Sequence, residues 1–275
     1  MTIGEALMQT QAAVAAVSDS ARLDAELLLG HVLGLSRTQL RLRHDQALDE
    51  TRGLRLATLT ERRCGGEPIA YLLGAQGFWS LDLEVNAAVL VPRPETELLV
   101  EWALERLPVG ETRRVVDLGT GSGAIALAIA VERPQVQISA SDISADALAV
   151  ACRNAARVAA SVDFHEGRWW QPFAAARFDL VVSNPPYIAA GDPHLAALGH
   201  EPALALSDGA DGLQALCEII AGAPAQLRPN GWLLLEHGHD QGAAVRALLS
   251  AAGFDSVSTR RDLEARERVS GGRWR

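Results

Sequence analysis

Two short stretches of the chain hold residue types whose spacing suits chemistry on a bound small molecule. The first, Val115-Val116-Asp117-Leu118-Gly119-Thr120-Gly121-Ser122-Gly123-Ala124, runs from an apolar strand pattern through three alternating glycines into a helical pattern. Glycine lets a backbone turn tightly and approach a ligand with no Cβ in the way. The helix that follows offers unpaired N–H groups at its start. Asp142 ends the next apolar run, 19 residues beyond Gly123 (142 − 123), where a carboxylate can accept both ribose hydroxyls of an adenosine-containing cofactor. Gly119, Gly121 and Ala124 satisfy the dinucleotide pattern G-x-G-x-x-[G/A]. With Asp117 and Gly123 they also satisfy D-x-G-x-G-x-G, a pattern of S-adenosylmethionine binders. Asp142 suits either cofactor and does not choose between them.

The second stretch, Ser183-Asn184-Pro185-Pro186-Tyr187, follows the strand pattern Phe178–Val182. A proline pushes the residue before it into an extended conformation, and its own φ is fixed while its N–H is missing. The result is a stiff loop. In it the Asn184 side-chain oxygen and the Pro185 carbonyl can accept the two hydrogens of a planar NH₂ group, and Tyr187 offers a flat face for stacking. An amide or exocyclic amine is a poor nucleophile because its lone pair is delocalised. Two acceptors that fix its plane and favour positive charge on nitrogen would promote group transfer by positioning and electrostatics. A nicotinamide oxidoreductase would use the glycine turn and Asp142 but leave Asn184–Tyr187 without a task.

The elements that must position these residues alternate. Val115–Leu118, Val136–Ala140, Phe178–Ser183 and Trp232–Glu236 carry strand patterns. Helical patterns over Gly123–Glu132, Ser144–Val158, Gly212–Leu227 and Gln241–Ala252 interleave with them, and two β segments close the chain. This predicts an α/β unit with a mostly parallel sheet, helices on both faces and ligands at the C-terminal strand ends. Phe178–Ser183 is placed as the fourth strand, which sets Asn184 near the glycine turn. Upstream, Ala21–Gly34 repeats apolar residues four apart (Leu23/Leu27, Leu28/Val32, Leu29/Leu33), and a second helical pattern over Leu54–Arg63 stops at Cys64-Gly65-Gly66. Residues 1–75 are therefore predicted as a small helical bundle. Residues 76–91 read as a β-hairpin linker in which Asn86-Ala87-Ala88 turns the chain before Val89-Leu90-Val91. Residues 92–275 form the α/β domain, opening with Pro92-Arg93-Pro94-Glu95-Thr96-Glu97 and an apolar-periodic helix. Glu95 and Glu97 read either as helix-start acids or as an acid–base pair.

Composition narrows the chemistry further. The chain has 275 residues, about two domains' worth. Its 25 cations are all arginine, which excludes Schiff-base and Walker-type lysine chemistry. A net charge of −9 argues against bulk binding to a phosphate backbone. Cys64, Cys152 and Cys217 form no C-x-x-C and no metal-ligand spacing and read as reduced thiols. His237-Gly238-His239 lacks a carboxylate or cysteine partner in its motif, so no metal site is assigned. No G-x-S-x-G nucleophile turn is present. The N-terminal run MTIGEALMQTQAAVAAV lacks a signal peptide's basic region and long apolar core. No apolar run reaches the ~20 residues of a membrane span. A cytoplasmic location without a membrane partner is expected.

Taken together, these segments resemble the protein-(glutamine-N5) methyltransferases of the HemK/PrmC type. Besides the glycine turn and Asn184–Tyr187, the resemblance rests on Arg22–Leu29, Gly66-Glu67-Pro68-Ile69-Ala70-Tyr71-Leu72, Phe78-Trp79, Pro92–Glu97 and Leu234-Leu235-Glu236-His237-Gly238. Asn-Pro-Pro-Tyr alone would also fit nucleic-acid adenine-N6 methyltransferases, but the acidic charge and the lack of a target-recognition domain argue against that. The resemblance implies a seven-stranded Rossmann-like S-adenosylmethionine-dependent methyltransferase domain behind a helical substrate-recognition domain and a β-hairpin linker. It implies methyl transfer to the side-chain amide nitrogen of the glutamine in the Gly-Gly-Gln motif of peptide chain release factors, with no direct nucleic-acid binding. By the same resemblance Gly119, Thr120, Gly121, Ser122, Gly123, Asp142, Trp169 and Asn184 bind the cofactor. Asn184 and Pro185 act on the amide, and Asn184, Pro185, Pro186 and Tyr187 hold the glutamine. Trp170 adjoins Trp169 and competes for its place. Two departures stand out: Arg168 precedes the tryptophan where the family often has an acid, and the connector after Tyr187 is short, with Gly199-His200-Glu201-Pro202 in place of an Arg-aromatic-Glu-Pro sequence.

Overall fold

The computed structural model describes residues 1–275, which divide into two compact units, Met1–Ala75 and Gln76–Arg275. The first unit is all helical: α1 (Ile3–Val14), α2 (Ala21–Leu33), α3 (Arg37–Leu42), α4 (Glu50–Cys64) and α5 (Ile69–Leu73). Thr2 with Glu5 and Ser36 with Gln39 form capping boxes that satisfy the first N–H groups of α1 and α3. Asp49 caps α4. Gly34, in the left-handed conformation, ends α2. Ile3, Leu28, Leu29, Leu56, Leu59 and Leu72 build a common apolar core. Periodicity revealed only α2 and α4. The buried face of α1 includes Gly4, Ala6 and Thr10, which do not read as an apolar repeat, and α3 and α5 are too short to repeat a pattern.

The hairpin strands β1 (Ala75–Phe78) and β2 (Leu81–Glu84) are shorter than the expected 76–91. The chain reverses at Trp79-Ser80, with Trp79 at a φ of 57° and its N–H donated to Glu97 Oε1 (2.7 Å). Asn86–Ala88 does not lead into a third strand. The Val91 N–H goes to the Glu201 carboxylate (3.0 Å) instead of to a ladder.

The second unit continues with a 3₁₀ turn over Pro94–Thr96 and then α6 (Glu97–Glu105), β3 (Arg114–Leu118), α7 (Ala124–Glu132), β4 (Gln137–Asp142), α8 (Ala145–Arg157), β5 (Asp163–Glu166) and β6 (Phe178–Ser183). Two single-turn helices follow, α9 (His194–Ala197) and α10 (Ala203–Leu206). Then come α11 (Gln214–Gln226), β7 (Leu227–Glu236), α12 (Gly242–Ala251), β8 (Asp255–Arg261) and β9 (Glu267–Arg273). The seven strands order β5-β4-β3-β6-β7-β9-β8, parallel except for β9, which is antiparallel to both of its neighbours.

Strand alternation sorts the core onto two faces. Val115, Leu180, Val182 and Leu234 meet Leu99, Trp102 and Leu127 of α6 and α7 on one side. Val116, Leu118, Val181, Leu233 and Leu235 meet Leu216, Ile219, Ile220, Val245 and Leu249 of α11 and α12 on the other. The chain runs outward from β3 to β5 and then crosses back to β6, so β3 and β6 flank the point where the sheet order reverses, the place where such sheets take ligands. Ser183 Oγ donates to the Leu118 carbonyl (2.6 Å), tying the two strand ends together.

Two strands differ from the sequence reading. β5, Asp163-Phe164-His165-Glu166, lies at the sheet edge and pairs only with β4, so it carries polar residues rather than an apolar run. β7 begins at Leu227, ahead of the expected Trp232, because Arg228-Pro229-Asn230-Gly231, which reads as a turn, is absorbed into the strand. Asn230 sits there at a φ of 66°, and the register with β6 shifts across Phe178/Leu180.

Candidate active site

A cavity of about 220 Å³ opens at the C-terminal ends of β3, β4 and β6. Its walls include Gly119–Ser122 after β3, Asp142–Ser144 after β4, Trp169 after β5, and Asn184 and Pro186 after β6. Arg93 and Thr96 enter from the turn before α6, and Leu204, Ala205 and Asp208 from around α10.

The glycine turn is built for close approach. Gly119 has a φ of +73°, and a Cβ there would lie 3.0 Å from the Trp169 ring. Its N–H and that of Thr120 both donate to the Ser141 carbonyl (2.8 and 2.9 Å), which fixes the turn to β4. The Gly121 N–H donates to Asp142 Oδ2 and the Ser144 N–H to Asp142 Oδ1, each at 2.9 Å. Burial raises the Asp142 carboxyl above its ordinary range against these donors. A carboxylate oxygen has two lone pairs, so each keeps capacity for a ligand hydroxyl. Gly123 is not on the cavity wall. Its left-handed backbone (φ +83°) caps α7, and a Cβ there would press on Leu127 at 3.1 Å. The Thr120 hydroxyl turns inward to Asp117 Oδ2 (2.6 Å). Asp117 is fully buried, and its Oδ1 has no hydrogen-bond partner. Burial pushes this carboxyl up to about 7, with the Thr120 hydroxyl and the Ala126 N–H pulling the other way.

Trp169 and not Trp170 lines the cavity. Trp169 sits at a φ of 47°, and its indole N–H donates to Glu218 of α11 (3.0 Å). Trp170 points into the apolar layer with its N–H on the Ile219 carbonyl (3.1 Å). Arg168 places two guanidinium nitrogens on the same Glu218 carboxylate, each at 2.9 Å. Burial works against the ionised Glu218. Its Arg168, Gln214 and Trp169 donors prevail and hold it below the usual carboxylate range.

Asn184 lies on the wall with Nδ2 donating to the Thr96 hydroxyl (3.2 Å), which leaves Oδ1 for a ligand. Pro186 is on the wall, whereas Pro185 and Tyr187 are not among its residues. The Tyr187 hydroxyl donates to Glu236 Oε1 (3.3 Å), and its carbonyl accepts from Gln241 (3.0 Å). Burial, reinforced by Glu236, drives the phenol pKa up. Glu236 itself is buried, and its carboxyl is pushed up to about 7 by that burial. Sequence reasoning gave Thr96 only a place at the helix start and assigned no site role to Glu201, Glu218 or Glu236. The signals for Glu236 were an acid ending the apolar run Leu233–Leu235 and its place in the family-like segment Leu234–Gly238. Glu201 accepts from the Val91 N–H and from the Arg93 guanidinium, which fastens the segment leading into α10 to the Pro92–Glu97 segment. Of the Glu95/Glu97 pair, Glu95 is exposed and Glu97 is engaged by the Trp79 N–H. His237 is enclosed with both ring nitrogens engaged, by the Gly238 carbonyl (2.8 Å) and the Ser270 hydroxyl (2.7 Å).

Known proteins place the chain. The family model described as PrmC N-terminal domain matches residues 5–74, and the one described as Methyltransferase small domain matches residues 95–200. A release factor glutamine methyltransferase of Xylella fastidiosa (strain Temecula1) is 55% identical over 92% of this chain and 93% of its own length. The chain belongs to the release factor glutamine methyltransferase family. In this member of the family, Arg168 does not remove a carboxylate from the side of Trp169, because Glu218 supplies one from α11. Solved structures agree in fold. A methyltransferase from Pyrococcus furiosus matches with a TM-score of 0.55 at 18% identity, covering 79% of this chain and 98% of its own. A 16S rRNA methyltransferase from T. Thermophilus, solved with AdoMet and guanosine, matches with a TM-score of 0.53 at 22% identity, covering 73% of this chain and 50% of its own. No helix is long and apolar enough to cross a membrane.

Proposed function

We propose that the chain transfers a methyl group from S-adenosyl-L-methionine to the side-chain amide nitrogen of the glutamine in the Gly-Gly-Gln motif of peptide chain release factors, in the cytoplasm and without binding nucleic acid. The observation that carries this reading is the placement of Asn184 Oδ1, free of internal partners, on the same cavity wall as the Gly119–Ser122 turn and Asp142. The donor set fits the cofactor. Asp142 offers lone pairs to a ribose, Trp169 offers an aromatic face to an adenine, and Gly119 lets both approach the backbone. When bound, S-adenosyl-L-methionine supplies a methyl carbon activated by its sulfonium charge.

The chain's own contribution is positioning. Asn184 Oδ1 accepts one amide hydrogen from the cavity wall, and the Pro185 carbonyl, between the wall residues Asn184 and Pro186 in the chain, is assigned the other; together they hold the NH₂ plane and stabilise the positive charge that develops on nitrogen. Pro185 and Pro186 keep the acceptors still, since their φ angles are fixed. Tyr187 braces the loop from behind through Glu236 and Gln241. The helical unit 1–75 is assigned to docking the protein substrate, so that remote binding energy is realised as alignment of the glutamine. The test replaces Asn184 by alanine. Turnover on an intact release factor is expected to fall about 10²–10³-fold, as when one positioned oxyanion donor is lost, with cofactor affinity nearly unchanged. Near-normal turnover would sink the assignment. Methylation of DNA adenine in preference to a release factor would support the alternative substrate class.

A further inference from the structure

An asparagine amide has nearly the same shape after a half-turn about its last bond, but the half-turn exchanges an acceptor for two donors. An incoming NH₂ group is held only if Asn184 shows Oδ1 to the cavity. Something must therefore fix which way round this amide sits. Its Nδ2 donates to the Thr96 hydroxyl at 3.2 Å. A hydroxyl can also donate, and a Thr96 proton turned toward Asn184 would draw Oδ1 inward and leave Nδ2 in the cavity.

The destination of that proton decides the matter. Thr96 is 4% exposed, which gives the proton little access to water. Glu236, whose ionised form the Thr96 hydroxyl favours, is 1% exposed and has an Oε2 without a hydrogen-bond partner. We propose that Thr96 and Glu236 act as positioning residues that set the polarity of the Asn184 amide: an ionised Glu236 draws the Thr96 proton, so Thr96 can only accept from Asn184. The inference rests on the reading of Asn184 as the residue that orients the substrate glutamine. The relay runs from the amide of Asn184 to Thr96 to Glu236, with each donor facing one acceptor.

Charged and titratable groups from three neighbouring segments act on Glu236. Glu95, from the turn before α6, disfavours its ionisation. The Tyr187 hydroxyl, from the loop after β6, and the Arg268 guanidinium, from β9, favour it. Burial lowers the pKa of the neighbouring His237. Burial pushes the Glu236 carboxyl up to about 7. Below that pH the protonated acid donates to Thr96 instead of accepting, and the amide loses its fixed direction.

The test uses the full-length enzyme, S-adenosyl-L-methionine and an intact release factor. Thr96→Val removes the hydroxyl at constant shape, and Thr96→Ser retains it. Thr96→Val should lower kcat about 10²-fold, the order expected for a misplaced reacting group, while cofactor Kd moves less than about threefold. Thr96→Ser should recover most of the loss. Without cofactor, the Asn184 side-chain amide resonances should be protected from exchange in the wild type and not in Thr96→Val. The wild-type rate should fall as pH drops through about 7, and Glu236→Gln should abolish that limb. Wild-type kcat in Thr96→Val, equal damage by serine and valine, or unmoved Asn184 resonances would overturn the proposal. If Thr96→Val does not fold, a Glu236→Gln profile identical to wild type overturns it alone. Failure of the wild type to methylate the release factor glutamine would instead strike the proposed function.

Discussion

Replacing Glu201 by alanine should loosen the cavity from a point outside it. The Glu201 side chain is 2% exposed and accepts from two donors, the Val91 N–H at 3.0 Å and the Arg93 guanidinium. The Arg93 side chain is 36% exposed, so its charge regains water when the partner is removed, and the ion pair itself is worth only about 0–1 kcal/mol. Val91 is buried, and an N–H left unpaired there costs about 1–3 kcal/mol. The sum centres on about 2.5 kcal/mol. For a unit of this size each kcal/mol moves Tm by about 2–4 °C, so Glu201→Ala should melt about 5–10 °C lower. Glu201→Gln keeps an acceptor for Val91 and should lose only the ion-pair share, about 0–1 kcal/mol. Pro202, Leu204, Ala205, Ser207 and Asp208 line the cavity just beyond Glu201, so cofactor affinity should weaken in the same order, alanine more than glutamine. Scanning calorimetry with and without S-adenosyl-L-methionine reads both quantities. An alanine variant melting with the wild type, or a glutamine variant as unstable as alanine, would refute the assignment of the cost to Val91.

Three further outcomes follow from the cavity. Asp142→Ala should weaken S-adenosyl-L-methionine binding at least about tenfold, roughly 1.4 kcal/mol, by calorimetric titration; unchanged affinity would remove Asp142 from the site, and tighter binding of NAD would favour an oxidoreductase. Glu218→Gln should raise cofactor Kd about three- to tenfold, the worth of about one net hydrogen bond, and should change the tryptophan fluorescence response to cofactor, because the Trp169 indole loses its charged acceptor. The Asp117 carboxyl is raised from 3.8 to about 7 by folding, so the folded state holds its proton more tightly than the unfolded chain. The stability that this proton contributes is complete below pH 3.8 and is lost as pH rises through about 7. Urea denaturation of Asp117→Asn should therefore show a flatter pH dependence across that window than the wild type, and an unchanged slope would contradict the buried titration.

The sequence made legible the parts of the site that a backbone must build. Three alternating glycines and an Asn-Pro-Pro run admit few conformations, and each stands at the end of an apolar strand, so Gly119, Asp142 and Asn184 could be placed together from pattern alone. The supporting carboxylates could not. Glu201, Glu218 and Glu236 lie 108, 49 and 49 residues from the groups they hold, Arg93, Trp169 and Tyr187 (201 − 93, 218 − 169, 236 − 187). No periodicity links residues that meet only across a folded sheet. Nor could pattern tell Trp169 from Trp170, since both follow one edge strand and only packing on Gly222 turns Trp170 away and leaves Trp169 on the cavity wall. β5 escaped because an edge strand need not be apolar.

The measurement closest to the central claim is the mass of the release factor peptide that carries Gly-Gly-Gln, after incubation of the full-length protein and its substrate with S-adenosyl-L-methionine. The peptide should gain the mass of one methylene group, fragmentation should place it on the glutamine side chain, and a release factor with that glutamine replaced should gain nothing. A methyl group found on another residue, or gained equally by the substituted release factor, would contradict the account.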